Sequence, residues 1–237
     1  MLVTGAASGI GLGLVQSLSA KGVTVIGLDR DAALAEGPDA YRMDVGEEAD
    51  WVRVVKAVVD RHGRIDGLVN CAGIIRMAPL VETAIDDFRA TMRVNVEGPF
   101  LGMKHVLPLM LAAGRGSIVN LSSTAGIAGA GGASAYCASK GAVRLMSKAA
   151  ALEAIAAGGA VRVNSLHPAM TETPMVGEIV RQLGGDPSIK DAMRQLQPSG
   201  ELIPVAAIVD GIEFLLSDQS RYINGTEFVV DNGFTAQ

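Results

Sequence analysis

Short β-branched runs alternate with longer amphipathic stretches from one end of this chain to the other, and that alternation restricts the fold more than any other feature. Candidate strands fall at residues 2–4, 23–28, 40–43, 65–70, 117–121, 161–166 and 227–230. Helical periodicity occupies 10–21, 47–62, 85–95, 99–113, 134–157 and 205–216. Several strand runs are apolar at every position, as expected when helices cover both faces of a sheet. Strand–helix–strand alternation requires right-handed crossovers. It therefore predicts an α/β fold, a Rossmann-like doubly wound parallel sheet of about seven strands with helices on both faces. The 237 residues show no linker, low-complexity tract or internal repeat, so one domain over 1–237 is expected.

The rest of the composition excludes several functions. Twenty basic residues face 25 acidic ones for a net charge of −5, and no basic tract stands out, which argues against nucleic-acid binding. Cys71 and Cys137 form no disulfide framework, and neither they nor His62, His105 and His167 have metal-ligand spacing. Residues 1–20 carry no charged side chain but lack a basic start, and glycines at 5, 9, 11 and 13 interrupt any signal-peptide core. No segment reaches the roughly 18 apolar residues that span a bilayer. A soluble, cytoplasmic protein without a membrane partner is expected.

The first strand runs into Thr4-Gly5-Ala6-Ala7-Ser8-Gly9-Ile10-Gly11, which opens a helix. Glycines let backbone approach a pyrophosphate there, and the free N–H groups of the helix start favour its charge. Alone, a glycine turn before a helix serves packing as often as binding. Asp29, at the end of the second strand, lies within the ~20-residue distance at which an acid hydrogen-bonds an adenosine ribose. Its charge would repel the 2′-phosphate of NADP, so NAD is the expected cofactor, with adjacent Arg30 as the one dissenting feature. Asp44 and Val45, ending the third strand, are placed to hold the adenine edge, although Asp44 also suits a helix N-cap.

Tyr136 and Lys140 are four residues apart at the start of a helical stretch and share a face. Free tyrosine, with a pKa near ~10, is a poor base at neutral pH. An ammonium about 4 Å away at an effective dielectric of ~20 contributes ~4 kcal/mol. That corresponds to about three pKa units of lowering, enough for acid–base work near pH 7.

Taken in order, Thr4-Gly5-x-x-x-Gly9-Ile10-Gly11, Asp44-Val45, Asn70-Cys71-Ala72-Gly73, Asn95, Ser122-Ser123, Tyr136-Cys137-Ala138-Ser139-Lys140, Pro168-Ala169 and Thr173 resemble the short-chain dehydrogenase/reductase family over essentially the whole chain. Ser123 stands thirteen residues before Tyr136, the family's spacing. The resemblance implies hydride transfer between a nicotinamide and a carbonyl or secondary alcohol. Tyr136 would exchange the proton, Lys140 would lower its pKa and bind the nicotinamide ribose, and Ser123 would hold the substrate oxygen. Asn95 would hold a water linking Lys140 to solvent. Asn70, Ala72 and Gly73 would shape the wall under the cofactor ribose, with Gly5, Ser8, Gly9, Ile10 and Gly11 at the diphosphate. Pro168, Thr171 and Thr173 would meet the carboxamide and diphosphate. The chain departs from the family pattern at Cys71, Ala169 and Asn232, and it begins within the first strand, where relatives carry several more residues. Cys71 and Cys137 read as packing residues.

Residues 170–204 break the rhythm with four prolines and four glycines, and are expected to be a substrate lid at a strand's C-terminal end. Met170, Met175, Val176, Ile179, Val180 and Leu183 would give it an apolar face, with Met77 and 127–130 opposite, although some of them suit a core equally well. His167 reads as structural. The ending Asp231-Asn232-Gly233-Phe234-Thr235-Ala236-Gln237 resembles family members acting on hydroxysteroids and secondary alcohols. A hydrophobic secondary alcohol or ketone, cyclic or hydroxysteroid-like, is the expected substrate. The alternatives are a 3-oxoacyl-thioester reductase using NADPH, which Asp29 and the net charge disfavour, and a non-catalytic nicotinamide-binding sensor. The resemblance further implies a homotetramer built on the helices at 99–113 and 134–157 and on the C-terminal strand.

Overall fold

The computed structural model of the chain describes residues 1–31 and 39–236; Gln237, the last residue of the ending singled out above, lies outside them. Seven strands form one parallel sheet: β1 (Leu2–Thr4), β2 (Ile26–Asp29), β3 (Ala40–Arg42), β4 (Gly67–Asn70), β5 (Arg115–Leu121), β6 (Ala160–Pro168) and β7 (Glu227–Val230). Their order is β3-β2-β1-β4-β5-β6-β7. Helices α1 (Gly9–Ala20), α2 (Glu48–His62), α3 (Ile85–Met92), α4 (Gly98–Ala112), α5 (Ser134–Ala156), α6 (Pro174–Gln182), α7 (Ser188–Gln195) and α8 (Val205–Leu216) connect them.

Adjacent strand residues point to opposite faces, and both faces are buried. Leu2, Leu68 and Ile118 pack into the core shared with α2, α4 and α5. Val3, Val69 and Val119 pack with Leu14, Leu18, Ile208 and Ile212 of α1 and α8. This is why the strands read as unbroken apolar runs rather than alternating ones. The β1–β2 ladder begins at Leu2↔Ile26, with the Met1 amine reaching the Thr24 carbonyl at 2.9 Å ahead of it, so β2 is shorter than its sequence run. β6 pairs with β5 on one side and β7 on the other, which carries it on to Pro168.

Two elements differ from expectation. The helical run at 85–95 is α only to Met92, and Arg93–Glu97 is a π-turn, a wider coil that inserts one extra residue. The interruption at 170–204 is not a bare loop. Its Gly and Pro residues bound two short helices, α6 and α7, which share a small core of Val176, Met193 and Leu202. The ends of this segment are tied together, with the Ile203 N–H donating to the Met170 carbonyl at 2.9 Å and the Glu172 N–H to the Ile203 carbonyl at 2.9 Å.

The strand order reverses at β1: the chain winds outward from β1 through β2 to β3, then crosses back to place β4 on the other side of β1. Sheets of this kind bind ligands above such a switch point, at the C-terminal ends of the strands. The Thr4 hydroxyl spans it, accepting from the Cys71 N–H at 3.0 Å and the Ala72 N–H at 3.1 Å.

Candidate active site

A cavity of about 1400 Å³ runs along the C-terminal edge of the sheet, from Asp29 at one end to Tyr136 and the lid at the other. Gly5, Ser8, Gly9, Ile10, Gly11, Asp29, Asp44, Val45, Ala72, Gly73, Ser123, Tyr136, Lys140, Pro168, Thr171 and Thr173 all line it. Of the catalytic and cofactor-binding residues expected at the site, Asn70 and Asn95 do not.

The dinucleotide end is built by close backbone approach. Gly5 has φ +68°, and a Cβ there would lie 2.9 Å from Ala72 backbone; a Cβ on Gly11 would lie 2.2 Å from the Gly5 carbonyl oxygen. Only glycine lets the turn fold against the start of α1. The Ser8 side chain makes no capping bond, so the first turn of α1 faces the cavity without a side-chain cap of its own. Asp29 is fixed by two backbone donors, the Ala7 N–H at 2.9 Å and the Asp31 N–H at 3.0 Å. Asp44 accepts from the Gly46 N–H at 2.9 Å and from Arg93 at 2.8 Å. Burial tends to raise the Asp44 pKa, but those partners outweigh it and hold it below the usual carboxylate range. Val45 is anchored through its carbonyl by the Trp51 indole at 2.9 Å. A glycine-lined turn, an uncapped helix start and a fixed acid at the β2 end fit the diphosphate and ribose of a dinucleotide.

At the other end, the side chains of Ser123, Tyr136 and Lys140 converge. Ser123 lies just beyond β5, and its hydroxyl oxygen accepts from the Ala125 N–H at 3.1 Å. The Tyr136 phenol lies close enough to that hydroxyl for Ser123 to favour its ionised form. The buried Lys140 amine donates to the Leu121 carbonyl at 2.7 Å and sits 5.5 Å from the Tyr136 ring centroid. Burial pushes the Tyr136 phenol up to about 12, with the Ser123 hydroxyl opposing it. Burial likewise brings the Lys140 amine down to about 8. This corrects the expectation that the ammonium lowers the tyrosine pKa. The amine is turned to the Leu121 carbonyl, and desolvation of the phenol outweighs every other influence on it.

Asn95 lies beneath the cavity wall, fully buried in the π-turn. Its amide oxygen accepts from the Ile74 N–H at 2.8 Å, and its amide nitrogen donates to the Ile74 carbonyl at 2.9 Å and the Ser139 hydroxyl at 3.0 Å. It thus clamps the loop after Gly73 to α5. Asn70 turns the other way, its amide donating to Asn120 at 2.7 Å on the α4 side of the sheet. Cys71, Ala72 and Gly73 reach the cavity, and Asn70 does not. The Cys71 thiol is pushed up to about 12 by burial, in keeping with a packing role.

The segment 170–204 covers the Tyr136 end of the cavity. Met170, Met175, Val176, Ile179 and Leu183 line the cavity, as do Met193, Leu196 and Phe234. Val180 instead packs against the lid's own core. Gln182 clasps the opposite rim, accepting from the Met77 N–H at 2.7 Å and donating to the Ile75 carbonyl at 3.1 Å. Sequence reading missed Gln182 and Arg93 and gave Thr4 no role of its own, because each acts on a segment far away in the chain. Only Thr4, at the head of the glycine motif, carried a signal.

Among the described residues, no helix is long and apolar enough to cross a membrane. No group of His, Cys, Asp and Glu among them is arranged to hold a metal ion.

Comparison with known proteins agrees with this geometry. Residues 5–235 match the family profile described as Enoyl-(Acyl carrier protein) reductase. Cyclopentanol dehydrogenase of Comamonas testosteroni is 36% identical over 249 aligned positions, covering 100% of this chain and 96% of that protein. The crystal structure of levodione reductase superposes with a TM-score of 0.92 at 31% identity, covering 99% of this chain and 96% of that one. ElxO, solved with NADP bound, gives 0.90 at 27% identity, covering 100% of this chain and 98% of that one. With its parallel seven-stranded sheet, glycine turn and Ser123, Tyr136 and Lys140 gathered in one cavity, the chain belongs to the short-chain dehydrogenase/reductase family.

Proposed function

We propose that this protein is an NAD(H)-dependent oxidoreductase for a hydrophobic secondary alcohol or its ketone, preferentially a cyclic one. The observation that carries the reading is the convergence of Ser123, Tyr136 and Lys140 under an apolar lid, in one cavity with the Asp29 carboxylate. A nicotinamide cofactor held along this cavity would supply the hydride acceptor for alcohol oxidation and the hydride donor for ketone reduction. The Tyr136 phenol gives its proton to the ketone oxygen in reduction and takes the hydroxyl proton in oxidation. The Ser123 hydroxyl, its oxygen already committed to the Ala125 N–H, can donate its proton to the substrate oxygen as negative charge develops there. Lys140 holds its amine 5.5 Å from the centre of the phenol ring, and Asn95 clamps the loop after Gly73 to α5 beside them. Asn70 supports the cavity wall from behind, through β4.

Asp29 favours NAD, because a carboxylate held by two backbone donors is positioned for ribose hydroxyls and repels a 2′-phosphate. Gly5, Ser8, Gly9, Ile10 and Gly11 would cradle the diphosphate, Asp44 and Val45 the adenine, and Ala72 and Gly73 the nicotinamide ribose. Pro168, Thr171 and Thr173 would meet the carboxamide. NADP use is the second reading, favoured by Arg30 in the cavity beside Asp29 and by the NADP-bound neighbour. The Met-rich lid adapts to bulky apolar rings, and the similarity to a cyclopentanol dehydrogenase points to cyclic alcohols. Exposed Phe100 on α4 and Leu145, Leu152 and Ile155 on α5 offer the surface that a homotetramer would bury.

Rates of NADH and NADPH formation across aliphatic, cyclic and steroid secondary alcohols test the reading. It predicts NAD-linked turnover that is fastest on a cyclic alcohol, and an Asp29→Ala variant in which the preference for NAD over NADP falls at least about tenfold. Turnover with NADP alone would overturn the cofactor assignment, and turnover confined to acyl thioesters would overturn the substrate class.

A further inference from the structure

His167, the residue before Pro168 in β6, is fully buried and lies outside the cavity wall. Its Nδ1 is 3.1 Å from the Ser123 carbonyl oxygen, and its Nε2 is 2.8 Å from the Ser165 hydroxyl. A carbonyl can only accept, so Nδ1 carries the proton and donates to Ser123. Nε2 is then the acceptor and takes the Ser165 hydroxyl proton. Burial holds the ring's pKa below the ordinary histidine value, in keeping with a neutral ring in this tautomer.

Ser123 needs such a tie. The β5–β6 ladder reaches the Ser122 N–H, which donates to the Leu166 carbonyl at 2.8 Å. Pro168 has no N–H with which to extend the ladder past that point. Ser123 therefore sits just beyond the sheet. Its carbonyl is held from within its own turn by the Gly126 N–H at 2.9 Å, and from the sheet by the imidazole. A second hydrogen bond to that carbonyl fixes the peptide plane, and with it the direction in which the Ser123 hydroxyl points.

We infer that His167 is a positioning residue for the reaction. It ties Ser123, which lies past the last ladder bond, back to β6 and aims its hydroxyl at the substrate oxygen. The inference rests on the proposed role of Ser123, and it extends the site one layer behind the cavity wall. The roles divide by ring nitrogen, with Nδ1 acting on Ser123 and the Ser165 hydroxyl fixing the tautomer that lets it do so.

The two ends of the ring can be tested separately. In His167→Asn the amide nitrogen takes the place of Nδ1 and can still reach the Ser123 carbonyl. In His167→Gln it takes the place of Nε2 and cannot. The inference predicts a kcat for His167→Asn within about threefold of the native enzyme, and a loss of at least about tenfold in His167→Gln. NADH dissociation constants should stay within about twofold in both. Combined with Ser123→Ala, His167→Gln should cost no more than about a further twofold, because the residue through which it acts is already gone. Ser165→Ala keeps the ring but frees its tautomer, and should lower kcat about threefold with the same silence in the Ser123→Ala background. Equal losses in the Asn and Gln variants, or losses that multiply with Ser123→Ala, would overturn the inference. A Ser123→Ala enzyme with native kcat would instead overturn the reading of Ser123 on which it stands.

Discussion

Before the Tyr136 phenol can accept a proton from an alcohol it must lose its own, and burial opposes that loss. A phenol held near about 12 is a competent acid at neutral pH and a scarce base. The direction of the pH effect follows. A raised pKa keeps the protonated form dominant up to alkaline pH, so ketone reduction has its proton donor throughout the neutral range. Oxidation draws on the ionised form, whose fraction grows about tenfold per pH unit below the pKa. kcat/KM for alcohol oxidation should therefore climb steadily from pH 7 to pH 9 while reduction does not. An oxidation profile already flat at pH 7 would contradict this and would require a group that lowers the Tyr136 pKa. The residues themselves were legible beforehand: Tyr136, Lys140 and Ser123 came from motif and spacing, and they do meet. Their electrostatics were not legible, because a four-residue separation on a helix says nothing of a carbonyl at Leu121 that takes the amine.

The glycine turn and α1 form a single element in which backbone touches backbone. A methyl on Gly11 would strike the Gly5 carbonyl oxygen, and neither atom belongs to a side chain that could rotate away. Gly11→Ala should shift the turn away from its binding shape, weaken NADH binding at least about tenfold in a fluorescence titration and destabilise the fold by about 1–3 kcal/mol. Native affinity in that variant would mean that the turn does not shape the site. Most elements could be read in advance, since apolar periodicity and β-branched runs mark them directly. The exceptions share a physical cause. The π-turn at Arg93–Glu97 depends on Asn95 bonding to the 74 peptide, a contact across 21 residues. The helices α6 and α7 are too short for periodicity to outweigh their flanking Gly and Pro, and they are stabilised by packing on one another.

Across the whole molecule, the reversal of strand order at β1 opens a crevice that the cavity follows from Asp29 to the lid. The sheet supplies the rigid floor through strands buried on both faces. The lid is tied at its root by the Thr171↔Ile203 bridge and reaches across to Ile75 and Met77 through Gln182. This division between a stiff floor and a clasped cover suits a site that must exclude water while a proton and a hydride move. The overall topology was legible because alternation leaves few ways to wind the chain. The clasp was not, since it joins residues about a hundred positions apart. Everything proposed for this architecture converges on the Tyr136 hydroxyl. Removing that one atom in Tyr136→Phe should lower kcat for NAD-linked oxidation of a cyclic alcohol at least about a thousandfold, with NADH binding within about threefold of native. A variant that binds NADH normally and still turns over at the native rate would contradict the account at its centre.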